Sequence, residues 1–142
     1  MKLVKIGRRQ LAGFVREFSG VPELAVNEQI GFYEPCELAA WMGKPRENLL
    51  YAVLQGGQYA GFCFAKVMSP HWALIDTFYI KPSMRRGGLG IFLQRGVEAA
   101  LKSRRIRYVS RVTRSDNHSM HRFLGKTGWS RRHEYTWFDK FL

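Results

Sequence analysis

The sequence predicts a mixed α+β fold, a mostly antiparallel sheet joined through one central βαβ crossover. Three observations carry this. Stretches of β-rich and helical period follow one another in the order β, α, α, β, β, β, α, β, α, β. Two of the β-runs are separated only by Gln55-Gly56-Gly57-Gln58, a hairpin signal that makes them antiparallel neighbours. From Trp72 to Val112 a helical pattern lies between two β-runs, the arrangement that links parallel strands by a right-handed crossover.

Each element has its own warrant. Met1 to Ile6 alternates apolar and polar residues, as a half-buried edge strand does. Arg8 to Phe18 places Leu11, Phe14, Val15 and Phe18 at helical spacing, and Ser19-Gly20-Val21-Pro22 stops it. Glu34 to Met42 reads as a second short helix, opened by Glu34-Pro35 and ended by Gly43. Leu49–Leu54, Tyr59–Val67 and Trp72–Ile80 are β-rich runs, the last closed by Lys81-Pro82. Gly88–Ser103 then carries Leu89, Phe92, Leu93, Val97, Ala100 and Leu101 on one face. Arg107–Val112 is strand-like, and Asp116–Lys126 is a helix with Asp116 or Asn117 as cap and Gly128 just past its end. Tyr135–Leu142, an alternating aromatic run, suits a final strand whose rings pack on the sheet.

Composition bounds the class. The 142 residues are 46% hydrophobic and 24% charged, which fits a single globular domain over residues 1–142 and excludes wholesale disorder. No apolar run approaches the roughly 20 residues that span a bilayer, and Gly7-Arg8-Arg9 follows Met1–Ile6 where a secretory signal needs an apolar segment. Cys36 and Cys63 are too few for a disulfide framework or a four-cysteine zinc site. A cytoplasmic protein with no membrane association is expected.

Charge is distributed unevenly. Residues 1–80 carry a net +1 and residues 81–142 a net +11, out of +12 for the chain. Glu17 to Gly43 contains Glu17, Glu23, Glu28, Glu34 and Glu37 and no Lys or Arg. Such a field draws anionic ligands to the basic half and cationic groups to the acidic stretch. The basic half is a solvated surface, a seat for a polyphosphate, a nucleic-acid contact, or a combination of these.

The chemistry centres on Trp72 to Leu101, where a β-run leads through Arg85-Arg86-Gly87-Gly88-Leu89-Gly90 into a helix. Glycines let backbone N–H groups approach a ligand without a Cβ in the way. The helix start adds its orphan N–H groups and the positive end of its dipole. With two arginines beside it, this turn reads either as a pyrophosphate cradle or as a structural strand-to-helix turn. It lacks the Gly-Lys-Ser/Thr ending of a Walker loop, and the GxGxxG and acidic partner of a dinucleotide site.

Arg85-x-x-Gly88-x-Gly90, after a β-run ending Phe78-Tyr79-Ile80-Lys81-Pro82, resembles the acetyl-CoA signature of the GCN5-related N-acetyltransferase (GNAT) family. Asn117 to Trp129 resembles the family's later helix, and the hairpin around Gly56-Gly57, followed by Tyr59-Ala60-Gly61-Phe62, sits where the family has its second and third strands. The resemblance covers nearly the whole chain. It implies a twisted, mostly antiparallel sheet with helices on both faces, and an acetyl-CoA-dependent N-acetyltransferase that needs no metal. Its acceptor would be a primary amine on a protein N-terminus, a lysine or a small molecule, attacking the thioester directly. It further implies that backbone groups of Phe78, Tyr79 and Ile80 pair with the pantetheine arm. The N–H groups of Arg86, Gly87, Gly88, Leu89 and Gly90 would hold the pyrophosphate, with charge from Arg85 and Arg86. Asn117 would bond the cofactor, and Arg122 either reaches a phosphate or lies on a solvated helix face.

Acetyl transfer needs a neutral amine, a destination for its proton and stabilisation of the tetrahedral oxyanion. Asp76 stands in the apolar run Ala73-Leu74-Ile75-Asp76-Thr77-Phe78, where a carboxylate is costly unless solvated by a cleft or given a partner. Through the resemblance it is either the base or a structural, acceptor-orienting carboxylate. The family's usual tyrosine acid is replaced by Leu124. His121, one turn earlier, either substitutes for it or is a packed helix histidine; Tyr135 and water are further proton donors. His118-x-x-His121 lacks a third metal ligand apart from Asp116. Cys63 reads as core and Cys36 as unreactive. Glu28 and Glu34, in the region bordering the implied acceptor site, favour a cationic acceptor. The competing reading is a basic nucleic-acid-associated module on a catalytically degenerate GNAT fold, or a transferase acting on an RNA-linked amine. A homodimer is compatible with either.

Overall fold

The structure, a computed structural model, describes residues 1–25 and 34–142. Its described residues divide into two compact units, Met1–Arg111 and Val112–Leu142. The first is built on a five-stranded sheet in sequential order, β1 (Lys2–Lys5), β2 (Asn48–Gln55), β3 (Gln58–Ser69), β4 (Trp72–Ile80) and β5 (Tyr108–Arg111). All neighbours are antiparallel except β4 and β5. The β2–β3 turn has Gly56 and Gly57 at φ of 58° and 80°, the left-handed pair that matches strand twist in a two-residue hairpin. Helix α3 (Leu89–Ser103) provides the crossover between the parallel strands. The expected βαβ unit is therefore present.

Helices cover both faces. Helix α1 (Arg8–Phe18) and helix α2 (Pro35–Met42) lie on one face, where Leu11, Phe14, Phe18 and Leu38 pack with Leu50, Ala52, Phe62, Phe64 and Tyr79. Phe14 and Phe62 meet edge to face at 5.0 Å, and Phe18 lies 4.8 Å from Phe62. Residues of the other parity, including Leu49, Val53 and Cys63, lie on the face served by α3, which buries Leu89, Leu93, Val97 and Leu101. At its C-terminus α3 closes with Ile106 N–H donating to the Leu101 carbonyl (3.2 Å) and Arg105 N–H to the Lys102 carbonyl (2.9 Å). Arg105 takes the left-handed conformation (φ 66°) that this paired cap requires.

The second unit contains helix α4 (His118–Lys126), with Asn117 as its N-cap and Gly128 at φ 88° after its end. The aromatic run Tyr135–Leu142 forms no strand, contrary to expectation. Trp137 and Phe138 are 81% and 88% exposed, so the burial expected of their rings is also absent. Alternating aromatics raise β propensity, but a strand needs ladder partners and a buried face, and this run belongs to no ladder of the sheet.

Burial also sets the chemistry of Cys63. Desolvation, the leading cause, pushes its thiol from 9.0 up to about 12, with Arg111 opposing the shift. Between those values the unfolded chain has released a proton that the folded chain retains, so stability falls as pH rises from about 9. The slope approaches about 1.4 kcal/mol per pH unit. Urea titrations between pH 7 and 10.5 should therefore show the stability advantage of the parent chain over Cys63→Ala shrinking above pH 9.

A methyl group at Gly61 would overlap the Tyr79 carbonyl and the Ile80 side chain, whereas one at Gly13, exposed on α1, meets nothing within 4 Å. Gly61→Ala should cost about 1–3 kcal/mol through overpacking. Gly13→Ala should add about 0.5–1 kcal/mol by reducing the freedom of the unfolded chain. Both are read from urea denaturation midpoints.

Candidate active site

Strand β4 organises the site. Its parallel register with β5 runs from Trp72↔Tyr108 to Ile75↔Arg111 and ends there, while its antiparallel register with β3 continues to Ile80↔Gly61. Asp76 to Ile80 thus has a ladder on one side only. The segment named from sequence, Phe78 to Ile80, lies within this stretch.

A bulge begins the change. Phe64 pairs with Thr77 and Ala65 with Ile75, so Asp76 is an extra residue with none opposite it. One inserted residue reverses the alternation and turns Ile75 and Thr77 to opposite faces of the sheet. The Asp76 carboxylate accepts from Lys66 Nζ at 3.2 Å and from Thr77 Oγ1 at 3.1 Å. Lys66 in turn stands 4.8 Å from the ring of Trp41, which is stacked on Phe64 at 5.3 Å. Asp76 is 20% exposed at its side chain, so it has both the partner and the partial solvation that a carboxylate in an apolar strand requires.

Beyond β4 the chain makes a 3-10 turn (Pro82–Met84) and enters the glycine turn. Arg86 has φ 70°, an uncommon conformation for a residue with a Cβ. Gly88, the N-cap of α3, has φ 78°, which a side chain would strain, and it supplies no side-chain cap. The first intrahelical bond runs from Phe92 N–H to the Gly88 carbonyl (3.0 Å). The N–H groups of Leu89, Gly90 and Ile91 precede it, and with the helix dipole they make this end suited to an anion. Gly87 has ordinary room, a methyl there meeting only the Met84 carbonyl at 3.9 Å. An open groove lined by Gly88, Ile91, Phe92, Arg95 and Gly96 continues along α3.

The two arginines differ. Arg85 Nε donates to the Ile80 carbonyl at 2.9 Å, and its Nη2 pairs with Glu23 at 2.5 Å. Its guanidinium therefore ties the turn to the 3-10 segment Pro22–Leu24. Lys81 pairs likewise with Glu17 of α1. Arg86 is exposed. Two of the five glutamates in the acidic stretch are thus engaged by cations of the glycine-turn region. Glu34, exposed before α2, donates its N–H to Glu37 (2.9 Å), and Glu28 lies outside the described residues.

In the second unit, the Asn117 side-chain oxygen accepts from Met120 N–H at 3.0 Å, so it serves as a helix cap. His121 Nε2 is 3.0 Å from the Arg114 carbonyl; since a carbonyl only accepts, that nitrogen carries the proton. Arg122 is exposed, and Leu124 on α4 is half-buried. Among the described residues no group of His, Cys, Asp or Glu is arranged to hold a metal, and no helix is long and apolar enough to cross a membrane.

Sequence reasoning overlooked Lys66, Trp41 and Thr77 around Asp76, and Glu17 and Glu23 as partners of Lys81 and Arg85. Lys66 carried a signal of its own. Like Asp76 it interrupts an apolar β-run, and the two runs are adjacent strands, so each charge implied the other.

The model of the acetyltransferase (GNAT) family matches residues 14–129. No curated protein sequence matches the chain significantly. Among solved structures, the chain is similar to the aminoglycoside acetyltransferase meta-AAC0020 from an uncultured soil metagenomic sample, in complex with sisomicin. The TM-score is 0.82 at 15% identity, covering 99% of this chain and 95% of that one. It is also similar to AAC(6')-Iy in complex with the bisubstrate analogue CoA-S-monomethyl-acetylneamine, with TM-score 0.78, 12% identity, and coverage of 99% and 98%. A transcriptional regulator from Bacillus halodurans C-125 gives 0.77 at 15% identity, covering 98% and 99%. At these identities the likeness is one of fold.

Proposed function

The chain belongs to the acetyltransferase (GNAT) family, and from that premise we propose that it transfers acetyl from acetyl-CoA to a primary amine of a small cationic acceptor. One observation carries the reading: β4 loses its β5 partner after Ile75 and leads, within the same segment of chain, to a helix start whose N-cap is a left-handed glycine. An extended amide-bearing arm suits the one-sided strand edge. A pyrophosphate suits the N–H groups at the start of α3. The turn fits the cofactor because Gly88 adopts a conformation that a Cβ strains and offers no capping side chain of its own.

Bound acetyl-CoA supplies a thioester whose thiolate leaving group is accessible near neutral pH, a free thiol having a pKa of about 8.5. The chain's own residues do the rest. Backbone groups of Phe78 to Ile80 align the arm, the first N–H groups of α3 with Arg86 hold the phosphates, and Arg85 keeps the turn in place through Glu23 and the Ile80 carbonyl. Asn117, the cap of α4, and Arg122 are assigned to the cofactor by the family resemblance alone. Asp76 receives the acceptor's proton, with Lys66 and Thr77 orienting its carboxylate. His121 is the candidate proton donor in place of the tyrosine that Leu124 replaces. Preference for a cationic acceptor rests on Glu34 and Glu28, since Glu17, Glu23 and Asp76 are already paired with Lys81, Arg85 and Lys66. The aminoglycoside complex of the structurally similar enzyme supports a small polyamine over a protein substrate.

Two experiments test this. Acetyl-CoA should raise the melting temperature of the parent chain. Gly88→Asp, which strains the turn and adds a negative charge beside the phosphates, should abolish that rise while the circular dichroism spectrum stays unchanged. A full thermal response in the variant rejects the assigned seat.

Asp76→Asn keeps shape but removes basicity. It should lower kcat/KM by roughly 10²–10⁴ at pH 7, the scale of a lost general base, with the deficit narrowing at higher pH as the amine deprotonates unaided. A loss confined to KM and constant across pH would make Asp76 an orienting residue instead.

A further inference from the structure

At the end of the sheet where β4 and β5 begin, three chain segments meet in a surface the acetyl-transfer reading does not use. Arg104 Nη1 donates to the carbonyl of Pro45 (3.1 Å), joining the segment after α3 to the loop before β2. Arg107 and Tyr108 both donate their N–H groups to the His71 carbonyl (2.9 and 3.0 Å), joining it to the β3–β4 turn. Lys44, Arg46, Lys102, Arg105 and Arg107 are exposed along these segments, and Glu47 is the one carboxylate that residues 44–47, 69–72 and 102–108 contribute.

Two aromatic rings belong to the same segments of chain. Trp72 and Tyr108 are register partners across the parallel pair, with ring centroids 6.5 Å apart, and are 37% and 58% exposed. Trp72 Nε1 donates to Ser110 Oγ at 2.7 Å, which fixes the indole. Cations after α3 gain from the negative end of its dipole, and that accounts for Lys102 and Arg104. It does not account for Lys44, Arg46 or Arg107, nor for two large rings left in water.

The geometry points to a docking surface for single-stranded nucleic acid: Trp72 and Tyr108 stack with bases, and Arg46, Lys102, Arg105 and Arg107 neutralise the phosphates on either side. Exposed rings interleaved with cations suit single strands, whose base faces are accessible, better than a duplex, whose bases are already stacked. The surface lies at the start of β4, about 26 Å along a nine-residue strand from the glycine turn at its far end, taking roughly 3.3 Å per residue. The two sites therefore share no residue, and this inference stands or falls separately from the acetyl-transfer reading.

The test is fluorescence anisotropy of a labelled 20-nucleotide single-stranded RNA with the full chain at 50 and 200 mM salt. Binding is expected at 50 mM, weakening steeply by 200 mM as released counterions dictate. Arg105→Glu with Arg107→Glu, and separately Tyr108→Ala, should each weaken it at least tenfold while the thermal response to acetyl-CoA persists. Gly88→Asp should leave RNA binding intact. Absence of binding at 50 mM overturns the proposal, as does binding indifferent to the Arg105, Arg107 and Tyr108 substitutions. Competition by polyglutamate or by duplex of equal charge as effective as unlabelled single strand would also overturn it, marking a general polyanion surface. Retention on vesicles containing anionic lipid with no RNA binding would assign the surface to a membrane instead.

Discussion

The single extra residue in β4 is the constraint on which the rest of the first unit depends. Without Asp76 as a bulge, Ile75 and Thr77 would face the same side of the sheet, and one of the two cores would lose its pattern. With it, Ala73 and Ile75 serve the α3 face, and Thr77 and Tyr79 serve the face covered by α1 and α2. The same irregularity brings a carboxylate to Lys66 beside the stacked Trp41 and Phe64. It also falls where the register with β5 ends. Core packing, a charged cluster and an open strand edge therefore share one local cause.

The uneven charge of the chain has a partly internal explanation. The acidic stretch and the basic half look like separate surfaces for separate ligands when read along the sequence. In the fold, Glu17 meets Lys81 and Glu23 meets Arg85, so four of these charges clamp α1 and the segment after it to the glycine-turn region. Each exposed pair alone is worth little. Their joint effect is positional, because Arg85 also holds the Ile80 carbonyl at the point where the strand gives way to the turn. What remains of the basic excess gathers in part where β4 and β5 begin, beside Trp72 and Tyr108.

Local signals were legible wherever chemistry acts over a few residues. Gly56-Gly57 declared the β2–β3 hairpin, the apolar spacing of Arg8–Phe18 and Gly88–Ser103 declared α1 and α3, and Asp116-Asn117 marked the start of α4, with the structure choosing Asn117 as cap. Asp76 was recognisable as a charge out of place. The terminal aromatic run was misread because alternation says that a segment is able to form a strand, while ladder partners decide whether it does.

The sequence by itself determined the order of the elements from β1 to α4, the βαβ crossover and the glycine turn at the start of α3. Those follow from periodicity, backbone permissiveness and capping, which depend on neighbours in the chain. Only the tertiary structure decided that Arg85 is a tether, that Asp76 sits on a bulge with Lys66 as partner, and that β4 parts from β5 after Ile75. These are contacts and registers between distant segments. A one-residue shift in strand pairing reverses every side chain's face, and the strand alone carries no record of which register its neighbours will impose.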